Sequence, residues 1–559
     1  MKANKFFLGL AFVGAILTAC EKEQTGNQGD YDTQSYMSVS IAQAGGTRAG
    51  YEDPDQPFLQ GTGTENTINS VDFYFYKADG TPFIFGSDAK NGAEASFGTN
   101  SNLYTYNPTS KTPSDGNIDE IVAATLVISH NTGDIPAYMI AVINSTDKYP
   151  NQPLSEVRVK SLANGRNSDG THIMTNSVYK GIDGNEVMAT PIAIENLAIN
   201  ANLALANPVR IYVERTAARI EVKEATANTT VYNTGTKVPS GSDSIEVYAR
   251  IKGWDIVTYA NNTTLAKDIA FDGWNTSNSI NGFTWNRPEL YRSYWAEATP
   301  ALTKTFSWNS LTNTVGSVDY CLENTTLPVI GWQKTDADET VEDEDVSRTN
   351  VTKVVVAAQL EDANGIALQI VNWYGQNYTL ANLKIAVAQS LKNDLILRTG
   401  SEGAYTYSSI TPEQITVVPN KDSVQTSYEV YFKLVDGIQG TWVSIDEENK
   451  YVAVADANEV LKAVENAKIW NGMSYYIVNI EHLGVNKKDG DTYLPAYYGV
   501  VRNHAYEITF NGVVGLGTPV YDPTTIYPEP VTPENTESYV AAEINVLAWH
   551  LVKQTVTLQ

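Results

Sequence analysis

The sequence predicts an all-β protein made of β-sandwich domains in tandem. Three observations point there. The 559 residues include 33 Tyr and 39 Gly, with much Thr, Asn and Val and few long Leu/Ala/Glu/Lys stretches. Short β-branched and aromatic runs recur between turn residues along the chain. No repeat of fixed period accompanies them. At a prior of about 150 residues per domain, the length allows two to four domains with sizeable cores.

The formal net charge of −26 argues against a nucleic-acid protein, since no basic excess exists to release phosphate counterions. With 18% charged and 10% aromatic residues, the chain is no disordered acidic tail either. Five His and two Cys leave little for a transition-metal site, so neither metal nor cofactor is expected.

At the N-terminus, Lys2 and Lys5 precede an apolar run from Phe6 to Leu17. A basic start, about a dozen apolar residues and a small-residue cleavage site make a secretory signal over residues 1–19, too short for a stable span. Leu17-Thr18-Ala19-Cys20 resembles a bacterial lipobox, whose Cys is acylated and becomes the mature N-terminus. The chain is therefore expected at the outer surface, lipid-tethered through Cys20. Cys321 is then left without a disulfide partner and reads as a buried structural thiol.

Residues 21–35 read as a flexible polar tether. In the strand that follows, Met37, Val39 and Ile41 share one face. It leads into Gly45-Gly46-Thr47-Arg48-Ala49-Gly50, an exposed segment suited to proteolysis between Arg48 and Ala49. Strand signals continue at Val71–Tyr76, with Asp79-Gly80 as a hairpin turn. The apolar runs Ile121–Ile128 and Tyr138–Asn144 suit burial on both faces. Short helices are expected between Leu154 and Asn207.

Further strands are predicted across Val209–Val222, Ser244–Ile251, Asp255–Tyr259, Lys353–Leu360, Tyr428–Leu434, Tyr475–Ile480 and Tyr497–Phe510. Ala457–Lys468 is the clearest amphipathic helix, with Asp456 as N-cap. A boundary near residue 208 separates one sandwich at 49–207 from another at 208–517. Pro523, Pro528, Pro530 and Pro533 stiffen a linker across 518–539. The end, residues 540–559, reads as a long strand. Ile544, Val546, Ala548 and Val552 fall on one face, and Leu547, Trp549 and Leu551 on the other. A two-sided apolar strand beyond a proline spacer needs a sheet. Its own chain or another molecule can supply one, the latter by β-augmentation.

Several charged and aromatic clusters invite sharper readings. Arg215 and Arg219 are expected to meet carboxylates at a domain junction. The run Asp336–Asp345 holds seven carboxylates in ten residues without a Gly turn, and reads as a solvated loop. Asp362-Ala363-Asn364-Gly365 reads as a hairpin turn. Trp254, Trp274, Trp285, Trp295 and Trp308 suit core positions, although a glycan-binding surface is the alternative they raise. No Gly-x-Ser-x-Gly elbow, His-Glu-x-x-His pair or phosphate loop occurs, so no enzyme is expected.

The ordered set of the lipobox, Arg48-Ala49-Gly50, Val213–Arg219, Tyr498–Tyr506 and Ile544–Trp549 resembles the fimbrillins of Bacteroidia. Within them it is most similar to the major-subunit type of the minor (short) fimbriae. The resemblance implies two transthyretin-like Greek-key sandwiches and export as a palmitoylated lipoprotein. It implies removal of residues 20–48, with the first strand, by an Arg-specific protease. Polymerisation with identical subunits follows, the tail serving as donor strand for a neighbour's groove, alongside anchor and tip fimbrial proteins. The expected role is a stalk subunit of an adhesive surface fimbrium. The alternative is a monomeric surface lipoprotein that binds glycans through the Trp-rich region.

Overall fold

The computed structural model describes residues 33–44, 61, 63–85, 95–97, 100–108, 112–113, 118–130, 134–177, 179–180, 186–224, 231–240, 243–267, 302–303, 305–324, 352–419, 429–463, 467–480, 488–489, 492–493, 500–526, 542–547 and 550–558. Within them the chain is all-β, arranged as tandem sandwich layers.

The first domain is one large sheet. Its order runs Ala95–Phe97, Leu103–Tyr106, Val71–Tyr76, Tyr138–Ile143, Met174–Asn176, Val209–Arg215, Thr33–Ala44, Ile118–His130 and Thr112–Pro113. Side chains from distant parts of this sheet share one core. Phe73, Phe75, Met139 and Ala141 meet Met37, Val39, Leu126, Ile128 and Ile211 there, so the sheet must curl back over itself. The reverse face of the Val71–Tyr76 and Tyr138–Ile143 pair is covered as well. Tyr74, Tyr76, Ile140 and Val142 pack there with Val157, from the helix Leu154–Arg158, and with Leu265. Burial on both faces explains the unbroken apolar reading of Tyr138–Ile143.

The second domain is a two-sheet sandwich. One sheet runs Leu302–Thr303, Tyr259–Ala260, Val318–Leu322, Ala217–Glu224, His504–Val513, Ala542–Leu547 and His550–Leu558. The other runs Val231–Ser240, Asp243–Val257, Lys353–Glu361, Met473–Asn479 and Thr518–Val520. Ile220, Val222 and Tyr506 from the first sheet pack against Val247, Val354, Val356 and Tyr476 from the second, with Trp254 fully buried among them.

The chain changes sheets at Thr216. Val209–Arg215 lies in the first domain and Ala217–Glu224 in the second, so the strand after position 208 still completes the first sheet. Thr518–Val520, at the start of the expected linker, pairs as a strand with Met473–Tyr475. Pro519 is tolerated because that strand lies at the sheet edge.

Between the paired strands Lys353–Glu361 and Met473–Asn479 the chain makes an excursion with its own core of Val371, Leu383, Val387, Leu395, Phe432, Leu461 and Ile469. It holds the helix Leu380–Ser390, whose N-cap Thr379 accepts from the Asn382 amide at 3.2 Å. The expected helix at Ala457–Lys468 is shorter than its pattern, ending at Lys462. Asp456 does cap it, accepting from the Asn458 amide at 2.8 Å. Ala467–Asn471 forms a strand instead, because its residues bridge Gln369–Trp373 and Glu429–Val430. Tertiary pairing there overrides local propensity. Asp362 forms the expected turn, its Oδ1 accepting from the amides of Asn364 and Ile366 at 2.8 and 2.9 Å.

Candidate functional site

The first strand occupies the interior of its sheet. Thr33–Ala44 runs antiparallel to Ile118–His130, from Thr33 opposite His130 to Ala44 opposite Ile118. On its other side it runs parallel to Val209–Arg215, from Val39 opposite Val209 to Gln43 opposite Val213. Tyr36 also exchanges backbone hydrogen bonds with Ala198, at 2.6 and 2.8 Å. Both backbone edges of the strand are thus engaged.

Met37 and Val39 have no solvent exposure and lie in the first domain's core. Ile41, the third candidate on that face, pairs through its backbone with Ile211 and Val122. Burying Met37 and Val39 contributes about 1.5–3 kcal/mol each. That is a large share of the roughly 5–15 kcal/mol that holds a domain folded. Without this strand, Val209–Arg215 and Ile118–His130 would face one another as two unpaired edges over an apolar floor. Cys20, Arg48 and Ala49 lie outside the described residues. Arg48 follows the end of this strand by four residues of sequence.

The tail is divided into two strands, Ala542–Leu547 and His550–Leu558. They pair antiparallel with each other, Val546 opposite Leu551 and Asn545 opposite Val552. The single long strand expected from residues 540–559 is therefore a hairpin. Ala542–Leu547 adds antiparallel to His504–Val513 of the same chain, Ile544 opposite Ile508 and Leu547 opposite Ala505. Ala548 and Trp549 lie outside the described residues.

A second constellation joins the two domains. Arg219, on the strand after the crossover, sits 3.1 Å from Glu65 Oε1 and 2.7 Å from Glu221 Oε2. The Tyr320 hydroxyl donates to the same Glu65 oxygen at 2.7 Å. Arg219 meets carboxylates at a domain junction, as its sequence context implied. Arg215 is buried at the same junction. Its Nε donates to the Glu65 carbonyl at 2.9 Å, and its terminal nitrogens donate to Asn503 Oδ1 at 3.1 Å and Asn66 Oδ1 at 2.5 Å. His172 packs edge-on against Tyr320. Burial, then the charges of Arg215 and Arg166, push its pKa down to about 3.

Two further ion pairs lie beneath this layer, Lys267 with Glu214 and Arg502 with Glu323, all four side chains without exposure. Sequence reasoning missed them. The available signal was a carboxylate in each of two apolar strand patterns, Val213-Glu214 and Leu322-Glu323. Cys321 is buried, and burial pushes its thiol well above the usual range. Trp254 is core, its Nε1 donating to the Thr314 carbonyl at 2.9 Å, and half-buried Trp308 donates to the Ser474 carbonyl at 3.1 Å. Trp274, Trp285, Trp295 and the acidic run Asp336–Asp345 lie outside the described residues. Among the described residues, no cluster of His, Cys, Asp and Glu is placed to hold a metal ion.

Residues 468–555 match the family model described as major fimbrial subunit protein type IV, fimbrillin, C-terminal. This segment contains the strand His504–Val513 and most of the tail that pairs with it. No curated protein sequence matches the chain. Two solved structures from Porphyromonas gingivalis resemble it distantly. A fimbrilin shares 15% identity with a TM-score of 0.32, covering 94% of this chain and 97% of its own. A C-terminally truncated tip fimbrial protein shares 9% identity with a TM-score of 0.28, covering 88% and 97% respectively. Likenesses this remote say nothing of function.

Proposed function

We propose that this chain is a structural subunit of a cell-surface fimbrium, of the short-fimbria stalk type, exported as a lipoprotein acylated at Cys20. Cleavage between Arg48 and Ala49 removes the first strand, and a neighbouring subunit's tail fills the vacancy. The observation that carries this reading is the interior position of Thr33–Ala44. It is the earliest described strand in the chain, yet it is clamped on both edges and supplies Met37 and Val39 to the core. A strand so placed leaves a groove of fixed polarity when it goes. The fimbrillin match over residues 468–555 supports the fimbrial assignment independently.

In this reading the tail's pairing with His504–Val513 is the arrangement it leaves in order to donate. Ile544, Val546, Leu547, Ala548, Trp549, Leu551 and Val552 then replace the apolar side chains lost with Met37, Val39 and Ile41. A long apolar strand with fully paired backbone holds almost irreversibly.

Trypsin-like cleavage of the purified precursor tests the mechanism. The expected product begins at Ala49 and forms SDS-resistant ladders, while a variant lacking residues 540–559 is cut but stays monomeric. Ladders from the truncated variant would sink the donor assignment. Cut wild-type protein that stays monomeric would sink the polymerisation mechanism.

A further inference from the structure

Each of the two ion pairs beneath the domain junction leaves one carboxylate oxygen without a hydrogen-bond partner, Glu323 Oε2 and Glu214 Oε1. Arg502 Nε stands 2.8 Å from Glu323 Oε1, which also accepts from Thr263 Oγ1 at 2.6 Å. Other Arg502 donors reach the carbonyls of Leu265 and Thr264 at 3.0 and 2.8 Å. Lys267 Nζ stands 3.0 Å from Glu214 Oε2, but the other oxygen, Oε1, is buried with no hydrogen-bond partner. A buried charge pair with an unsatisfied carboxylate oxygen repays its desolvation poorly. Burial pushes the Glu214 carboxyl up and the Lys267 amine down, against the pull of each on the other. Both directions favour the uncharged forms, from which an amide can be made.

We propose that Lys267 and Glu214 condense into an intramolecular isopeptide bond that staples the first domain to the second. Lys267 Nζ attacks Cδ of Glu214. The C–N bond forms, one Cδ–O bond breaks, and the departing hydroxyl leaves with a proton from the nitrogen as one water. No oxidant, cofactor or second substrate is consumed. Glu323 carries the proton from nitrogen to the leaving oxygen. Its charge is felt at both Glu214 and Lys267, and its Oε2 is buried without a partner. Burial alone would raise its pKa, but Arg502 holds it below the usual carboxylate value, so it is ionised and can accept a proton.

The reactants need no docking step. Glu214 is fixed in the strand Val209–Arg215, and Lys267 follows Leu265, whose amide donates to the Lys160 carbonyl at 2.8 Å. Two groups held at contact in this way can react with effective molarities of about 10⁵–10⁸ M. The product is a neutral amide, which removes the cost of two buried charges. The bond would link the last strand of the first sandwich to the segment beyond Asp243–Val257 of the second. Tension between the domains would then pass through a covalent bond.

Denaturing tryptic digestion of the full chain followed by tandem mass spectrometry tests this. The expected result is a branched peptide joining the Glu214 and Lys267 segments, lighter than their sum by one water and uncut after Lys267. Linear peptides alone, with cleavage after Lys267, would overturn the proposal, and this holds whether or not any variant folds. In Lys267→Met the branched species must vanish. In Glu323→Gln the linked fraction should fall at least tenfold at equal time after synthesis, and undiminished linkage would overturn the role given to Glu323.

Discussion

Arg219 Nε and Glu65 Oε1 lie 3.1 Å apart across the junction of the two domains, with both side chains largely shielded from water. Arg219 belongs to the strand Ala217–Glu224 of the second sandwich and Glu65 to the short helical turn Gly63–Asn66 of the first. Tyr320 donates to the same carboxylate oxygen, so one side chain of the first domain gathers two from the second. Removing one partner of a buried pair strands the other charge, at about 3–5 kcal/mol where nothing compensates. Arg219 would retain Glu221, so Glu65→Ala is expected to cost less, about 2 kcal/mol. Urea unfolding of the uncut chain checks this, and the two domains should then lose their common transition.

The interior strand makes a separable prediction. Met37→Ala should destabilise the precursor by about 2–5 kcal/mol, the range for a large-to-small change in a packed core. If the strand is discarded on cleavage, filaments grown from this variant should match wild type in resistance to SDS and heat. Weakened filaments would mean that the strand is retained.

His172 sets an acid limit. Its folded pKa of about 3 lies below the ordinary value of 6.5. The unfolded state therefore binds the extra proton first, and stability falls as pH drops from about 6.5 towards 3, being complete above that window. Thermal unfolding between pH 4 and pH 8 should show this slope, and His172→Phe should flatten it. An unchanged slope would place the acid sensitivity elsewhere.

Gly253 marks a close backbone approach. It lies where the register of Asp243–Val257 against Lys353–Glu361 shifts. A Cβ there would meet the Leu311 carbonyl oxygen at 2.1 Å. Backbone cannot yield as a flexible side chain can, so Gly253→Ala is expected to cost about 1–3 kcal/mol. The thermal midpoint of the second sandwich measures it. A neutral result would mean that the Leu311 segment moves freely.

Much of this was legible in the sequence because it is local. Alternation put Met37 and Val39 on a buried face, and both are core. The Asp362–Gly365 turn follows from an Asx side chain folding onto its own backbone. The helix Leu380–Ser390 leaves little mark in the sequence because only Leu383, Val387 and Ala388 are buried along it, a weak stripe. The tail's alternation likewise carried no mark of the reversal between Leu547 and His550.

What the sequence determined by itself is therefore the β class, the positions of many strands and turns, and which face of the first strand turns inward. Only the tertiary structure decided that Thr33–Ala44 lies between Val209–Arg215 and Ile118–His130, that the chain changes sheets at Thr216, and that Glu214 meets Lys267. The reason is physical. Side-chain periodicity records whether a face is buried, but backbone N–H and C=O groups are alike in every strand. The choice of neighbour is made by packing between residues far apart in the chain.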